Sequence, residues 1–114
     1  IEEISIPSNV TKICENAFFS CSNLRKVKIP TNSNLQAIEN NAFSDSTIEE
    51  IYIPSSLTKI GEYAFSICNE FQIIEISVES RLQSIPESAF EGCPKLIIMI
   101  PISSTKLIQT INST

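Results

Sequence analysis

The sequence predicts a solenoid of stacked coils with a parallel β-sheet on its concave face. The first reason is that one segment recurs four times, with starts at Ile1, Leu24, Ile48 and Phe71, before a truncated fifth copy from Leu96. The steps between these starts are 23, 24, 23 and 25 residues. A fixed period in this range is the sequence sign of repeat units that stack and share one core.

The second reason is that each copy opens with a short alternating segment. Isoleucine or valine alternates there with polar residues, as in Ile4-Ser5-Ile6, and this period of two predicts a half-buried strand. A proline that ends strand pairing follows in every copy except the fourth, which has Ser77. The positions that we expect to face the core are Ile4 and Ile6, Val27 and Ile29, Ile51 and Ile53, and Ile74 and Ile76.

The rest of each copy predicts a second extended piece and then a single helical turn on the convex side. Two apolar residues three apart, such as Leu35 and Ile38, mark the extended piece, and an Ala-Phe pair follows four residues after the isoleucine. Stacking should bring the phenylalanines into a spine with about 5 Å between rungs, which is the spacing of parallel strands. The spine would consist of Phe18, Phe43, Phe65 and Phe90.

A period of this size is typical of leucine-rich repeats. The recurring Ile-x-Ile-Pro, the Ile-x3-Ala-Phe and the Cys three residues after Phe resemble the BspA-like, treponemal class of that family. The resemblance covers residues 1 to about 101 and departs from the pattern at Ser46, Ser77 and Leu96. It implies a surface-exposed or secreted adhesion protein that binds host or matrix proteins such as fibronectin and fibrinogen. An intracellular scaffold, or a recognition arm attached to a catalytic domain elsewhere in the parent, remains the alternative.

The length and composition of the chain exclude several classes of function. Its 114 residues, 42% of them apolar, predict one structural unit over 1–114, and we expect this unit to belong to a longer protein. The net charge of −5 and the pI near 4.6 argue against a nucleic-acid or anionic-membrane surface. No apolar run approaches the ~20 residues of a transmembrane helix. Solenoid ends without polar caps could also self-associate.

The residues needed for common catalytic and cofactor sites are missing. The chain has no histidine and a single aspartate, Asp45, so it cannot assemble a Ser-His-Asp or Cys-His arrangement on its own. Two glycines, Gly61 and Gly92, form neither phosphate-binding motif. The pairs Glu2-Glu3 and Glu49-Glu50 recur at equivalent repeat positions, which is typical of a solvated strand edge. We therefore predict a protein that is not an enzyme and takes no cofactor or metal.

The cysteines follow the repeat. Cys21, Cys68 and Cys93 all stand three residues after a spine phenylalanine, which predicts small buried thiols. Cys68 and Cys93 fall on neighbouring coils, so a disulfide between them is the alternative. All four cysteines of the chain, Cys14 included, are predicted to be structural thiols.

The candidate partner-binding residues lie on the outward side of the predicted strands. One outward column reads Glu3, Lys26, Glu50, Ile73, and the next reads Ser5, Lys28, Tyr52, Glu75. Alternating charges indicate a ladder that fixes coil register, a concave recognition face centred on Tyr52, or both. The predicted partner-binding residues are Glu3, Lys26, Lys28, Glu50, Tyr52, Ile73 and Glu75.

Two longer loops provide a second candidate contact surface. Copies two and four carry two extra residues after the strand, so 31–34 and 78–81 should protrude from the same edge. The alternative is that they are tolerated insertions at the surface that bind no partner. Two glycosylation sequons, at Asn9 and Asn112, apply only if a eukaryote secretes the parent.

Overall fold

The computed structural model describes residues 2–101 and Leu107. The start at Ile1, the sequon at Asn112 and most of the truncated fifth copy lie outside the described residues. The described chain forms a parallel solenoid of about four coils, which confirms the predicted fold class. Its main sheet has five strands, which are β1 (Glu3–Ser5), β3 (Lys26–Lys28), β5 (Glu50–Ile53), β7 (Ile73–Ile76) and β8 (Ile97–Met99).

A second parallel sheet confirms the predicted second extended piece in the first three copies. It consists of β2 (Lys12–Ile13), β4 (Ala37–Ile38) and β6 (Lys59–Ile60) in that order. In the fourth copy Leu82 and Ile85 are buried at the equivalent places without forming a strand. The two sheets enclose the apolar side chains, since the alternating isoleucines of the main sheet and the paired residues of the second sheet belong to one buried cluster.

The predicted helical turn is wrong for the first three copies. Among the first four copies, as far as the structure describes them, only the fourth has a turn of 3₁₀ helix, at Glu87–Phe90. In the first copy, the N–H groups of Ala17 and Phe19 bond within the turn, whereas those of Phe18 and Ser20 donate to the next coil, to Ala42 O at 2.7 Å and Ser44 O at 2.9 Å. A helix directs all its N–H groups along its own axis, so it could not make these bonds between coils.

Left-handed residues interrupt the helical path in these turns. Asn16, Ser20, Asn41 and Asp45 have φ between 56° and 62°, a region that asparagine and aspartate enter more readily than most residues. The third copy instead places Tyr63 at 58° and Ile67 at 56°. For a β-branched side chain such as that of Ile67 this conformation is strained by about 1–2 kcal/mol.

Gly61 permits a close approach between the second and third coils. A Cβ atom at this position would lie 2.5 Å from the backbone N and the side-chain Oδ1 of Asn40. That Oδ1 accepts a hydrogen bond from the N–H of Glu62 at 2.8 Å. Glycine is therefore required here because the asparagine side chain binds the backbone of the neighbouring coil.

The predicted phenylalanine spine is confirmed. Ring centroids are 5.1 Å apart for Phe18 and Phe43, 5.3 Å for Phe43 and Phe65, and 5.8 Å for Phe65 and Phe90. Phe71, which opens the fourth copy, joins the stack 5.1 Å from Phe65. Phe43 and Phe65 are fully buried, whereas Phe18 and Phe90 at the two ends are half-buried. Burial therefore depends on having a coil on both sides.

The prediction of buried cysteines is confirmed for Cys68, is met in part at the other two repeat positions, and is wrong for Cys14. Cys68 is fully buried, and Cys21 and Cys93 are half-buried, but Cys14 is exposed because it lies outside the phenylalanine register. All four are free thiols. The Cys68 thiol donates to Phe43 O at 3.1 Å, and that of Cys93 donates to Phe65 O at 2.9 Å. This repeat position therefore favours a small side chain that donates a hydrogen bond to a backbone carbonyl oxygen of the preceding coil.

Cys68 and Cys93 also influence each other's ionisation. The neighbouring Cys93 thiol lowers the pKa of Cys68, and the neighbouring Cys68 thiol, together with burial, raises the pKa of Cys93. Burial opposes the shift of Cys68, while a further hydrogen bond with Ser46 adds to it. Cys68 is thus the thiol of this pair that would ionise first, although its side chain has no access to solvent.

We expect Phe43→Ala to destabilise the solenoid more than Phe90→Ala. Removing a fully buried ring from the middle of the stack should lower the free energy of unfolding by about 3–5 kcal/mol. The half-buried Phe90 should contribute less. Denaturant melts of the two variants beside the unsubstituted chain measure this, and equal losses would contradict a one-dimensional stack.

Thiol labelling should separate Cys14 from the buried repeat cysteines. Under native conditions N-ethylmaleimide should modify the exposed Cys14 fast and the fully buried Cys68 slowly, whatever the ionisation of Cys68. Unfolded and unreduced protein should then show four alkylated sites by mass spectrometry. A mass two hydrogens too low before labelling, traced to Cys68 and Cys93, would show a disulfide and contradict the structure.

Candidate functional site

Strand register brings the predicted partner-binding residues together on the concave face. Glu3 pairs with Lys26, Lys26 with Glu50, and Glu50 with Ile73, so the first predicted column is continuous. In the second column Ser5 pairs with Lys28, and Tyr52 pairs with Glu75. We define the concave face as the outward residues of the main sheet, which are Glu3, Ser5, Lys26, Lys28, Glu50, Tyr52, Ile73, Glu75, Ile97 and Met99.

The concave face contains a groove of about 440 Å³. Tyr52 is half-buried in its wall and lies on the middle strand, β5. Glu3 is the one predicted partner-binding residue that does not line the groove, and Met99 of the apolar C-terminal strand also lines it. The predicted residues that line the groove are Lys26, Lys28, Glu50, Tyr52, Ile73 and Glu75.

The charges of the concave face do not form the straight ladder that the sequence suggests. Lys28 Nζ lies 3.1 Å from a carboxylate oxygen of Glu3, which is a diagonal contact between neighbouring strands. Within the described part of the chain, Lys26 and Glu50 lie side by side in the register without forming an ion pair. The position of the Cα atoms is therefore as predicted, but the pairing of the charges is not.

The other ion pairs between coils, among the described residues, lie outside the concave face. Arg25 Nη1 lies 3.0 Å from Glu49 on one side, and Arg25 Nε lies 3.6 Å from Glu2 on the other. On the opposite flank Glu39 contacts Lys59 at 3.2 Å and Lys12 at 3.9 Å. These flanking contacts join adjacent coils without using the charges of the groove. Sequence reasoning missed them, although Arg25 and Glu49 occupy equivalent positions in successive repeats.

The C-terminal end of the concave face is apolar. Ile97 and Met99 on β8 are 62% and 49% exposed, and Ile73 on β7 is half-buried beside Ile97. Large exposed side chains in one place are typical of surfaces that bind a partner or another copy of a repeat. The face thus changes from charged residues at β1 and β3 to apolar residues at β8.

The two longer loops present few fixed features to a partner. Residues 31, 32 and 34 are exposed, but Ser33 is buried and its Oγ accepts a hydrogen bond from the N–H of Leu35 at 3.0 Å. In the second loop Ser80 receives the equivalent bond from Leu82 at 3.1 Å. Val78 is 76% exposed. The side chains of Ser33 and Ser80 thus hold the backbone of both loops by hydrogen bonds. That the two loops protrude together stays a prediction.

The side chains of the face are of the kinds that protein interfaces use. Tyrosine, isoleucine and methionine offer apolar area, while lysine and glutamate offer charge that a partner can neutralise. Across the residues that the structure describes, no helix is long and apolar enough to cross a bilayer.

Three solved structures resemble this fold. They are the pneumococcal vaccine antigen PcpA, with 33% identity and a TM-score of 0.76, and a leucine-rich cell surface protein from Faecalibacterium prausnitzii, with 32% identity and a TM-score of 0.62. The third is a leucine-rich repeat protein from Bacteroides ovatus, with 25% identity and a TM-score of 0.51. The matches cover 86%, 70% and 91% of this chain respectively, but only 23%, 20% and 38% of those chains.

Curated proteins provide no match to the chain. The model of the BspA type leucine-rich repeat region, in contrast, matches residues 1–113 in six copies. A fold of this kind is typical of interaction modules without catalytic activity. The repeat motifs, the solenoid and the family match agree, and this chain belongs to the BspA-type leucine-rich repeat family.

Proposed function

We propose that this chain is a protein-interaction module that binds its partner through the concave face. The observation that carries the proposal is the groove around Tyr52, where charged and apolar side chains of four strands meet. An aromatic residue within a polar rim is how the energetic centre of a protein interface is built. The recurring apolar residues of each copy pack in the core and are nearly the same from repeat to repeat. The residues that are specific to this chain therefore lie on its surface, including the concave face.

The proposed setting is the cell surface, and the proposed partners are host or matrix proteins. Supporting this, one similar structure is a leucine-rich cell surface protein and another is a vaccine antigen. The chain spans about a fifth to two fifths of those proteins, so the activity of the whole parent is itself part of the proposal. On this proposal the chain acts by binding and not as an enzyme.

Tyr52→Ala should abolish binding without changing stability. Truncating a central aromatic anchor typically costs at least about 2 kcal/mol of binding, which is a loss of roughly 30-fold. The partners to test are purified fibronectin and fibrinogen, with binding measured on an immobilised surface and the melting midpoint measured in parallel. Tyr63→Ala is the matched control, because Tyr63 is the other tyrosine of the chain and is exposed on a turn away from the groove.

Unchanged binding of the Tyr52 variant to a partner that the unsubstituted chain binds would contradict the concave face as the contact surface. Loss of binding on changing Asn32 or Glu79 instead would assign it to the loop edge. If the unsubstituted chain binds neither fibronectin nor fibrinogen, the proposed choice of matrix partner is wrong.

Reversing the lysine charges of the groove should act mainly on the rate of association. Lys26→Glu together with Lys28→Glu should slow association and weaken its dependence on salt, because charges near an interface steer the encounter. The control is Lys59→Glu with Lys95→Glu, which changes the net charge equally but leaves the groove and both longer loops intact. Association rates at several ionic strengths measure the effect, and equal slowing by both pairs would indicate net charge alone.

A further inference from the structure

We propose that the groove binds an arginine side chain of the partner, held between Glu50 and Glu75 against Tyr52. The proposal rests on the proposed function, since it specifies the chemistry of the partner at the same face. It commits to an extended protein segment that presents a guanidinium group.

Two carboxylates flank the tyrosine. Glu75 lies beside Tyr52 on the neighbouring strand β7, and Glu50 precedes Tyr52 by two residues on β5, which places both on the same side of the sheet. Both glutamates are exposed, and both line the groove with Tyr52. Among the described residues neither one forms an ion pair. This half of the groove therefore offers two carboxylates without an ion-pair partner around an aromatic ring, while Lys26, beside Glu50 on β3, also forms no ion pair among the described residues.

An apolar or acidic partner would suit this half of the groove poorly. Strands β5, β7 and β8 contribute Glu50 and Glu75 to the concave face and no lysine or arginine. Lys28, on the other side, is already engaged by Glu3 at 3.1 Å. An apolar side chain covering the groove would remove water from two carboxylates without replacing it, which is unfavourable. A cation compensates them, so the complementary group is positive.

Arginine fits the remaining lining better than lysine. Its planar guanidinium stacks on the face of an aromatic ring while its N–H groups donate hydrogen bonds within the guanidinium plane, and its methylene chain packs on apolar surface. Ile73 and Met99 supply that apolar surface in the same groove. Lys26 lies one strand away and remains available for an acidic group of the partner.

Fluorine NMR of 3-fluorotyrosine-labelled chain tests the proposal directly. The chain has two tyrosines, so Tyr52 reports on the groove and the exposed Tyr63 serves as an internal control. The titrants are N-acetyl-arginine methylamide and its neutral isostere N-acetyl-citrulline methylamide. We expect arginine to shift the Tyr52 signal with a dissociation constant in the millimolar range and to leave Tyr63 unchanged. Citrulline should shift neither signal at the same concentration.

Removing the two charges should weaken the arginine response. Glu50→Gln with Glu75→Gln should raise the dissociation constant roughly fivefold, as expected for two exposed ion pairs. Glu87→Gln with Glu91→Gln removes the same charge on the outer turn and should have no effect. An equal response to citrulline, or an arginine response that survives the groove variant, would overturn the assignment.

The outcome can be separated from that of the proposed function. If Tyr52→Ala abolishes matrix-protein binding while arginine leaves the Tyr52 signal unchanged, the concave face is correct and the arginine assignment is wrong. If arginine binds as expected but Tyr52→Ala retains full matrix-protein binding, the groove takes a guanidinium group while the proposed contact with those proteins is wrong.

Discussion

Each coil of this solenoid pairs its backbone with the coil beside it, and the rest of the structure depends on that pairing. It occurs in both sheets and also through the outer turns, where Phe43 N–H bonds to Ala64 O at 2.8 Å. Because the coils are spaced by backbone hydrogen bonds, equivalent side chains must stack at nearly the same distance. The phenylalanine rings, 5.1–5.8 Å apart along the spine, follow from this spacing. A core position is therefore set by the period of the repeat.

The pairing of each coil with the next also explains which features of the fold could be predicted from the sequence and which could not. Alternating isoleucines identified the strands and their inner faces, and the period predicted which residues would be neighbours. The outer turn was misjudged because Ile-x3-Ala-Phe has helical spacing, whereas the backbone there must also bond to the next coil. The recurring Asn16 and Asn41 were the available signal, since asparagine tolerates the left-handed conformation that such turns require. Nothing in the sequence pattern marks Tyr63 and Ile67 as left-handed residues.

The candidate site was predictable to the extent that it depends on register. Columns of outward residues could be listed from the period, and Lys26, Glu50 and Ile73 are neighbours as expected. The contacts of long side chains were not predictable, because lysine and arginine reach across several positions. Lys28 thus meets Glu3 diagonally, and Arg25 joins Glu2 and Glu49 on the flank. The Ile97–Met99 stretch could also be placed from the sequence, as an apolar extension of the face toward its C-terminal end, and Met99 lines the groove.

The division of charges links the scaffold to its recognition surface. Each exposed ion pair contributes little to the stability of the solenoid. The main effect of the flanking pairs of Arg25 and Glu39 is that each charge is neutralised by an opposite charge on a neighbouring coil. Glu50 and Glu75 take no part in those pairs and remain in the groove beside Tyr52. Unpaired carboxylates contribute little to the stability of the coils but strongly influence which partner can cover them, because a covered charge must be compensated. The repeat therefore determines where the groove lies, and on our proposal the charges left unpaired on it determine which partner it binds.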